Sequence, residues 1–234
     1  MNVIDILVIV VLLLVLLKSL YKGFLYTACG TGLIVLSIIL SFIFMPVMAN
    51  SIKSDAKLFE MMLYYTEGSE FIQDSELAKQ SITTISTDEV NRIVAEANVP
   101  HPIGKEIREN ILTEAFAKDD IVTLGDYFNQ TMVRVFINIL SLIFLFLCFK
   151  IVFGFLLGWF DYSYNLPKFT QYDSLFAVAA GLLKGILTAF VIFMLVPIAL
   201  TLIPLDFIKE LVDESFFARL FYNSNFLLSL IPGM

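Results

Sequence analysis

Residues that commonly catalyse reactions or bind metal ions are scarce in this chain of 234 residues, which contains one His and two Cys. Cys29 and Cys148 both lie within long apolar runs, where a thiol behaves as a small apolar side chain. This excludes a disulfide framework and a Cys-based zinc site. His101 lies between two prolines, and the chain contains no HExxH, GxSxG, P-loop or GxGxxG motif. We therefore expect no catalytic, cofactor or metal site, and no enzyme activity.

Charged residues are also scarce, at 16% of the chain against roughly 25% in a soluble domain. Between Gly23 and Lys53 there is none. Apolar segments of about 20 residues can cross the hydrocarbon layer of a bilayer as helices. Four such segments occur, at 3–21, 24–48, 131–158 and 177–205. The sequence therefore predicts an all-α integral membrane protein with four transmembrane helices in contact with the lipid bilayer.

Acidic residues are concentrated between residues 51 and 130. This segment contains seven Lys and Arg against fifteen Asp and Glu, a net charge of −8 in a chain whose net charge is −7. It offers no basic surface, so we expect no nucleic-acid partner. Apolar periodicity predicts helices at 53–66, 88–98 and 104–118. We therefore expect a water-exposed helical insert packed on the membrane part.

These patterns divide the chain into four parts. Residues 1–50 contain transmembrane helices 1 and 2, and we expect the second of these to end near Pro46. Residues 51–130 form the acidic insert, and residues 131–205 contain helices 3 and 4. The last part, 206–234, begins with acidic and aromatic residues at helical spacing over 206–222. That spacing predicts an amphipathic helix lying along the membrane surface.

The distribution of lysine predicts the orientation in the membrane. The joint 18–22 carries Lys and no acid, and the link 161–173 is accompanied by Lys150, Lys168 and Lys184. The positive-inside rule places both connections in the cytoplasm. Both termini and the insert 51–130 are then expected outside the cytoplasmic membrane.

Ionisable residues within the spans are candidate functional positions, because charge in the hydrocarbon layer is costly. Asp5 lies near the start of the first span, where a carboxylate favours the N-terminus of a helix. Lys184 either reaches the inner headgroups or is buried, lining a path or pairing with an acid. The apolar segment that follows Lys184 is long enough to span by itself, which favours the interfacial anchor. Lys150 is expected to reach the same interface.

Small residues recur at helical spacing around Lys184. The spacing of Asp173, Ala177, Gly181, Lys184 and Gly185 places them in one stripe along a helix. Glycines four residues apart allow a second helix to approach closely. We expect the stripe to pack against another helix, within the chain or in a second copy.

Three short motifs resemble those of a bacterial family. Ile4-Asp5 opens the first span, Lys22-Gly23-Phe24 joins the first two spans, and Asp173 precedes Gly181-x-x-Lys184-Gly185 in the last. In order and spacing they resemble the colicin V production protein (CvpA) family over roughly 1–48 and 131–203. The candidate functional or packing residues are Asp5, Lys22, Gly23, Phe24, Asp173, Gly181, Lys184 and Gly185.

This resemblance implies a multi-pass protein of the bacterial inner membrane that assists production or export of a colicin V-type peptide toxin and upkeep of the envelope. It would act as a non-enzymatic assembly factor through a membrane or extracytoplasmic protein partner, or through self-association. Two alternatives remain open. A small transporter or channel subunit would use Asp5 and Lys184 to line a path. An anchor or regulator would serve an extracytoplasmic enzyme.

Overall fold

The chain folds into helices joined by short turns. A computed structural model describes residues 2–168, 171–203 and 206–234, and these residues form no strand beyond one bridge between Ser81 and Thr123. In chain order, the α-helices are α1 (Val3–Lys22), α2 (Phe24–Lys53), α3 (Ala56–Thr66), α4 (Ser75–Lys79), α5 (Thr87–Ala97), α6 (Ile103–Leu112), α7 (Leu124–Tyr164), α8 (Asp173–Phe193), α9 (Val196–Leu202), α10 (Asp206–Glu214) and α11 (Phe216–Asn223). Short 3₁₀ turns occur at Gly68–Phe71, Ile82–Thr84, Ala117–Asp119 and Leu228–Leu230.

In the part of the chain that the structure describes, four helical segments are long and apolar enough to cross a membrane: α1, α2, α7 and the pair α8–α9. Only 17–33% of the residues in their most apolar windows are buried. Apolar side chains such as Leu13, Leu14 and Leu17 of α1 are more than half exposed. Lipid or another protein must cover such surfaces. The fold is that of an all-α membrane protein with four spans, which confirms the sequence prediction.

Two of the spans are longer than the sequence predicts. Helix α2 continues through Pro46 to Lys53, so the expected end near Pro46 is wrong. A proline removes one backbone hydrogen bond, and the remaining bonds of this 30-residue helix keep it continuous. Helix α7 begins at Leu124, inside the segment assigned to the insert. Its 41 residues extend over about 60 Å, roughly twice the hydrocarbon thickness.

The last span is interrupted near its end. Helix α8 ends at Phe193 and α9 begins at Val196. Pro197 lies in the first turn of α9, where its missing N–H has no helical partner to lose. The predicted end of this span at residue 205 lies outside the described residues.

The C-terminal amphipathic segment forms two helices, so the single helix expected over 206–222 is wrong. Ser215 leaves the helical conformation between α10 and α11. Its hydroxyl accepts a hydrogen bond from the Ala218 N–H at 3.0 Å and thereby caps α11. A serine that caps a new helix ends the preceding one.

Contacts divide the chain into two units, and α2 and α7 contribute residues to both. The first unit contains Met1–Pro46, Ser141–Met194 and Lys209–Asn225. The second contains Val47–Leu140, Leu195–Ile208 and Phe226–Met234. The C-terminal part 206–234 is therefore shared between the two units.

The second unit contains the acidic insert and has an apolar core. Helices α5 and α6 pack together, and Ile103 and Ile107 are fully buried. Helix α6 ends at Leu112, so the helix expected over 104–118 is shorter than predicted. Glu114 has a φ of 49°, and a right-handed helix cannot continue through this left-handed conformation.

Candidate functional site

A single residue, Gly23, joins α1 to α2 in the first unit. Its φ of 86° lies in the left-handed region, which is strained for a residue with a Cβ. A Cβ here would also lie 3.0 Å from Asp173 Oδ2 and 3.1 Å from Lys168 Cγ. The Gly23 N–H donates to the Ser19 carbonyl, and the Gly23 carbonyl accepts from the Thr27 N–H. One glycine therefore ends the first helix and starts the second.

The carboxylate of Asp173 caps α2 from a distant part of the chain. Its two oxygens lie 3.2 and 3.3 Å from the backbone nitrogen of Phe24, which donates. The first turn of α2 contains no acid of its own. A carboxylate at this position interacts favourably with the positive end of the helix dipole. Two motifs that lie 149 residues apart thus form one contact.

Two lysines bind acceptors at the same place. Lys22 Nζ lies 2.7 Å from Asp161 Oδ2, near the end of α7. Lys168 Nζ donates to the Tyr21 carbonyl at 2.8 Å. Together with the Asp173 cap, these contacts hold the end of α1, the start of α2, the end of α7 and the start of α8. We call these four helix ends, with the three polar contacts between them, the joint cluster.

The small residues of α8 face α1. Ala177 is fully buried. A Cβ built on Gly181 would overlap the Ser19 side chain, at 2.8 Å from its Cβ, and a Cβ on Gly185 would lie 2.6 Å from Leu12 Cδ2. The two helices therefore lie closer together than larger side chains at these positions would allow. In the structure, this stripe lies in a contact within the chain.

Asp5 lies at the other end of α1 and is buried, with 2% of its surface exposed. Its carboxylate accepts hydrogen bonds from the Ser215 hydroxyl at 2.7 Å and the Phe217 N–H at 3.0 Å. Asn2 and Asp5 also form a capping box at the start of α1. Asp5 therefore holds the starts of two helices, α1 and α11, of which the sequence predicted only the first.

Lys184 faces a cavity together with two other lysines. Lys18 of α1, Lys150 of α7 and Lys184 of α8 line two adjoining cavities of about 250 and 340 Å³. Lys150 and Lys184 are half-buried, whereas Lys18 is exposed. Lys184 follows Asp173 by about 16 Å along the axis of α8, so its backbone lies about three turns from the start of that helix. Gly30 of α2 makes room for it, because a Cβ there would lie 3.0 Å from Lys184 Nζ.

The sequence did not predict that these lysines come together. It favoured Lys184 as an interfacial anchor, which stays a prediction, and in the structure the Lys184 ammonium lies beside Gly30. The transport alternative placed Asp5 and Lys184 on one path, yet neither cavity lined by Lys184 includes Asp5. Position along the chain was the available signal, since Lys18 lies within the predicted joint 18–22 and Lys150 and Lys184 each lie about three turns from the predicted link 161–173. The helix face that each occupies depends on packing.

The insert in the second unit has an acidic surface. Of its Asp and Glu residues, Glu106 is buried, Glu89 is half-buried and the others are exposed. His101 lies 3.4 Å from the Ser229 hydroxyl, and burial, together with the nearby Lys105, lowers its pKa. No group of three His, Cys, Asp or Glu is arranged to hold a metal ion among the residues described. The insert thus offers mainly carboxylates to its surroundings.

Comparison of the chain with protein-family models, curated proteins and solved structures gives no match. The fold itself sets the class: the chain is an all-α, multi-pass membrane protein. Its first unit contains the joint cluster and a cavity lined by three lysines. These two features are the basis of what we propose below.

Proposed function

We infer that this chain is a non-enzymatic accessory protein of the bacterial inner membrane that assists production or export of a colicin V-type peptide toxin and upkeep of the envelope. It acts by association with a membrane or extracytoplasmic protein, or with a second copy of itself. The resemblance of its motifs to the colicin V production protein family supports the specific part of this proposal. The acidic insert provides the surface for a partner outside the membrane.

The joint cluster is the observation that carries the proposal. Two separate motifs of the resemblance meet there, since Asp173 of the last span caps the helix that begins at Phe24. Gly23 is required at the same place by its φ and by its close neighbours. The charge of Lys22 is paired with Asp161. Charges engaged in holding helix ends favour a fixed framework for assembly over a reactive centre.

The orientation proposed for the chain has the insert and both termini outside the cytoplasmic membrane. Lys22 and Lys168 belong to two different connections, and both take part in the joint cluster. Their common location supports placing both connections on one side, which the positive-inside rule makes the cytoplasm. Alternation over four spans then puts the insert outside.

Cysteine labelling tests this orientation. In a variant lacking the native thiols, Cys29→Ala with Cys148→Ala, single cysteines are introduced at Ser86 and Lys168, both of which are exposed. An impermeant maleimide added to intact cells should label Ser86→Cys, and it should label Lys168→Cys only after the inner membrane is permeabilised. The reverse pattern contradicts the proposed orientation.

Toxin secretion tests the function. A strain that secretes a colicin V-type peptide and lacks this chain should secrete less toxin, and the wild-type chain should restore secretion. Gly181→Leu should fail to restore it, because the contact with α1 has no space for an isobutyl group. Gly32→Leu is the matched control, since a Cβ at Gly32 has no neighbour within 4 Å. Unchanged secretion in the strain lacking the chain contradicts the proposed function.

The lysine-lined cavity favours one second candidate, a small transporter or channel subunit for an anion. Charged residues within spans commonly face a water-filled cavity along a transport path. Asp5 has no part in this version, because its carboxylate is bonded to Ser215 and Phe217. Anion flux into proteoliposomes that contain only the purified chain would favour transport over the accessory role.

A further inference from the structure

Three lysines from three helices line the same space in the first unit. Lys18, Lys150 and Lys184 line both of the adjoining cavities described above. No Asp or Glu is found among the described residues that line them. All three side chains carry an ammonium group, so charges of one sign line the same two cavities. The two cavities therefore concentrate positive charge, and their described walls supply no carboxylate to balance it.

The two acids at the ends of the link 161–173 make other contacts. Asp161 is paired with Lys22, and Asp173 caps the backbone of Phe24. Asp173 precedes Lys184 by about 16 Å along α8, which is too far for an ion pair. Among the residues the structure describes, no carboxylate lies within ion-pair distance of the three cavity lysines. A mobile anion from outside the protein would neutralise them.

The remaining walls indicate an amphipathic occupant. Apolar side chains, including Leu33, Phe153 and Leu157, line the cavity beside the lysines. Gly154 of α7 also lines it, is exposed, and has no atom within 4 Å of a Cβ built on it. Its neighbour Phe155 is an exposed apolar residue, at 74%. The cavity therefore opens at Gly154 beside a helix surface suited to acyl chains.

We propose that Lys18, Lys150 and Lys184 form a binding site for a phosphate-bearing anion within the membrane part of the chain. The phosphate belongs either to the headgroup of an anionic phospholipid, with its acyl chains leaving the cavity at Gly154, or to a free phosphate solute. Ammonium groups bind phosphate as point charges. Basic pockets between transmembrane helices on the cytoplasmic side recognise anionic headgroups. This site does not depend on the role in toxin production.

The first experiment uses the wild-type chain, purified in a neutral detergent and delipidated. Native mass spectrometry measures binding of phosphatidylglycerol and of phosphatidylcholine with the same acyl chains, and a thermal-shift assay measures binding of inorganic phosphate. Preferential binding of phosphatidylglycerol supports the site with a lipid headgroup as the source. Stabilisation by inorganic phosphate, with no preference between the lipids, supports the site with a free solute as the source. If neither effect is observed, the proposal is overturned.

The second experiment locates the site. Lys150→Gln and Lys184→Gln should each weaken binding of the favoured anion about fivefold, as expected for loss of one lysine near an anionic headgroup. Lys168→Gln is the matched control, because Lys168 belongs to the joint cluster and lines neither cavity. Wild-type binding by both cavity variants overturns the proposal. An equal loss of anion binding in Lys168→Gln also overturns the proposal.

A pair of glycine variants keeps the test decisive if the lysine variants do not accumulate. Gly154→Leu places a side chain at the opening of the cavity, whereas Gly158→Leu makes the same change one turn further along α7. A Cβ has no neighbour within 4 Å at either position, so both variants should fold. Gly154→Leu should weaken binding severalfold and Gly158→Leu should not. Unchanged binding by Gly154→Leu, for lipid and for inorganic phosphate, overturns the proposal.

Discussion

The contact between α1 and α8 allows a stability prediction that can be worked out from distances. In Gly181→Ala, the new Cβ would lie 2.8 Å from the Ser19 Cβ, about 0.6 Å short of the 3.4 Å at which ordinary contact begins. The Ser19 Cβ is attached directly to the backbone of α1, so no side-chain rotation can move it away. Helix α1 must therefore shift, and the close packing around Gly185 shifts with it.

Overpacking of this kind costs about 1–3 kcal/mol. Alanine favours a helix over glycine by up to about 1 kcal/mol, which offsets part of that cost. Gly32→Ala is the matched control, because it gains the same helix preference and its Cβ has no neighbour within 4 Å. The difference between the two variants therefore isolates the contact. We expect Gly181→Ala to be less stable than Gly32→Ala by about 1–3 kcal/mol.

A second substitution, at Ser19, gives a double-mutant cycle that measures the coupling between the two positions. Ser19→Gly removes the side chain that the new Cβ would meet, so Gly181→Ala should be tolerated in the double variant. Unfolding of the full chain in mixed micelles, followed by loss of helical circular dichroism, measures the free energy of unfolding for each member. A coupling free energy below about 0.5 kcal/mol means that the two positions are independent. That result, or equal stability of Gly181→Ala and Gly32→Ala, would refute the packing argument.

Two further predictions concern polar groups away from this contact. Asp5→Ala should lower the melting temperature and expose α11 to proteolysis, because Ser215 and Phe217 lose their hydrogen-bond acceptor. Asp5→Asn keeps one acceptor oxygen and should have a smaller effect. A wild-type melting temperature for Asp5→Ala would contradict this prediction. The pKa of His101 is lowered by burial and by Lys105, so the folded state favours the neutral ring. The stability that the neutral His101 ring contributes should be fully present above pH 6.5 and should be lost as the pH falls through the lowered pKa. His101→Gln should remove this part of the pH dependence of thermal unfolding, and an identical pH profile in the variant would show that another group is responsible.

The C-terminal segment shows how the limits of sequence-based prediction arise. Its amphipathic spacing correctly predicted helix between 206 and 222, because periodicity is a local property. The break at Ser215 has a local signal too, since serine is a common helix cap. The partner of Ser215 has no local signal, because Asp5 lies 210 residues away and was expected to cap only its own helix. Hydrogen bonds between distant segments can be known only when the helices are packed.

The sequence by itself determined that this is a four-span, all-α membrane protein with an acidic helical segment, because hydrophobicity, length and charge act locally along the chain. It also marked Gly23, Asp173 and the glycines of α8 as positions with a role. The tertiary structure alone decided that Asp173 caps α2, that Asp5 caps α11 and that three lysines line the same two adjoining cavities. A helix has a similar apolar profile whichever way it is rotated about its axis. Only packing against its neighbours fixes that rotation, and with it the groups that each charged side chain meets.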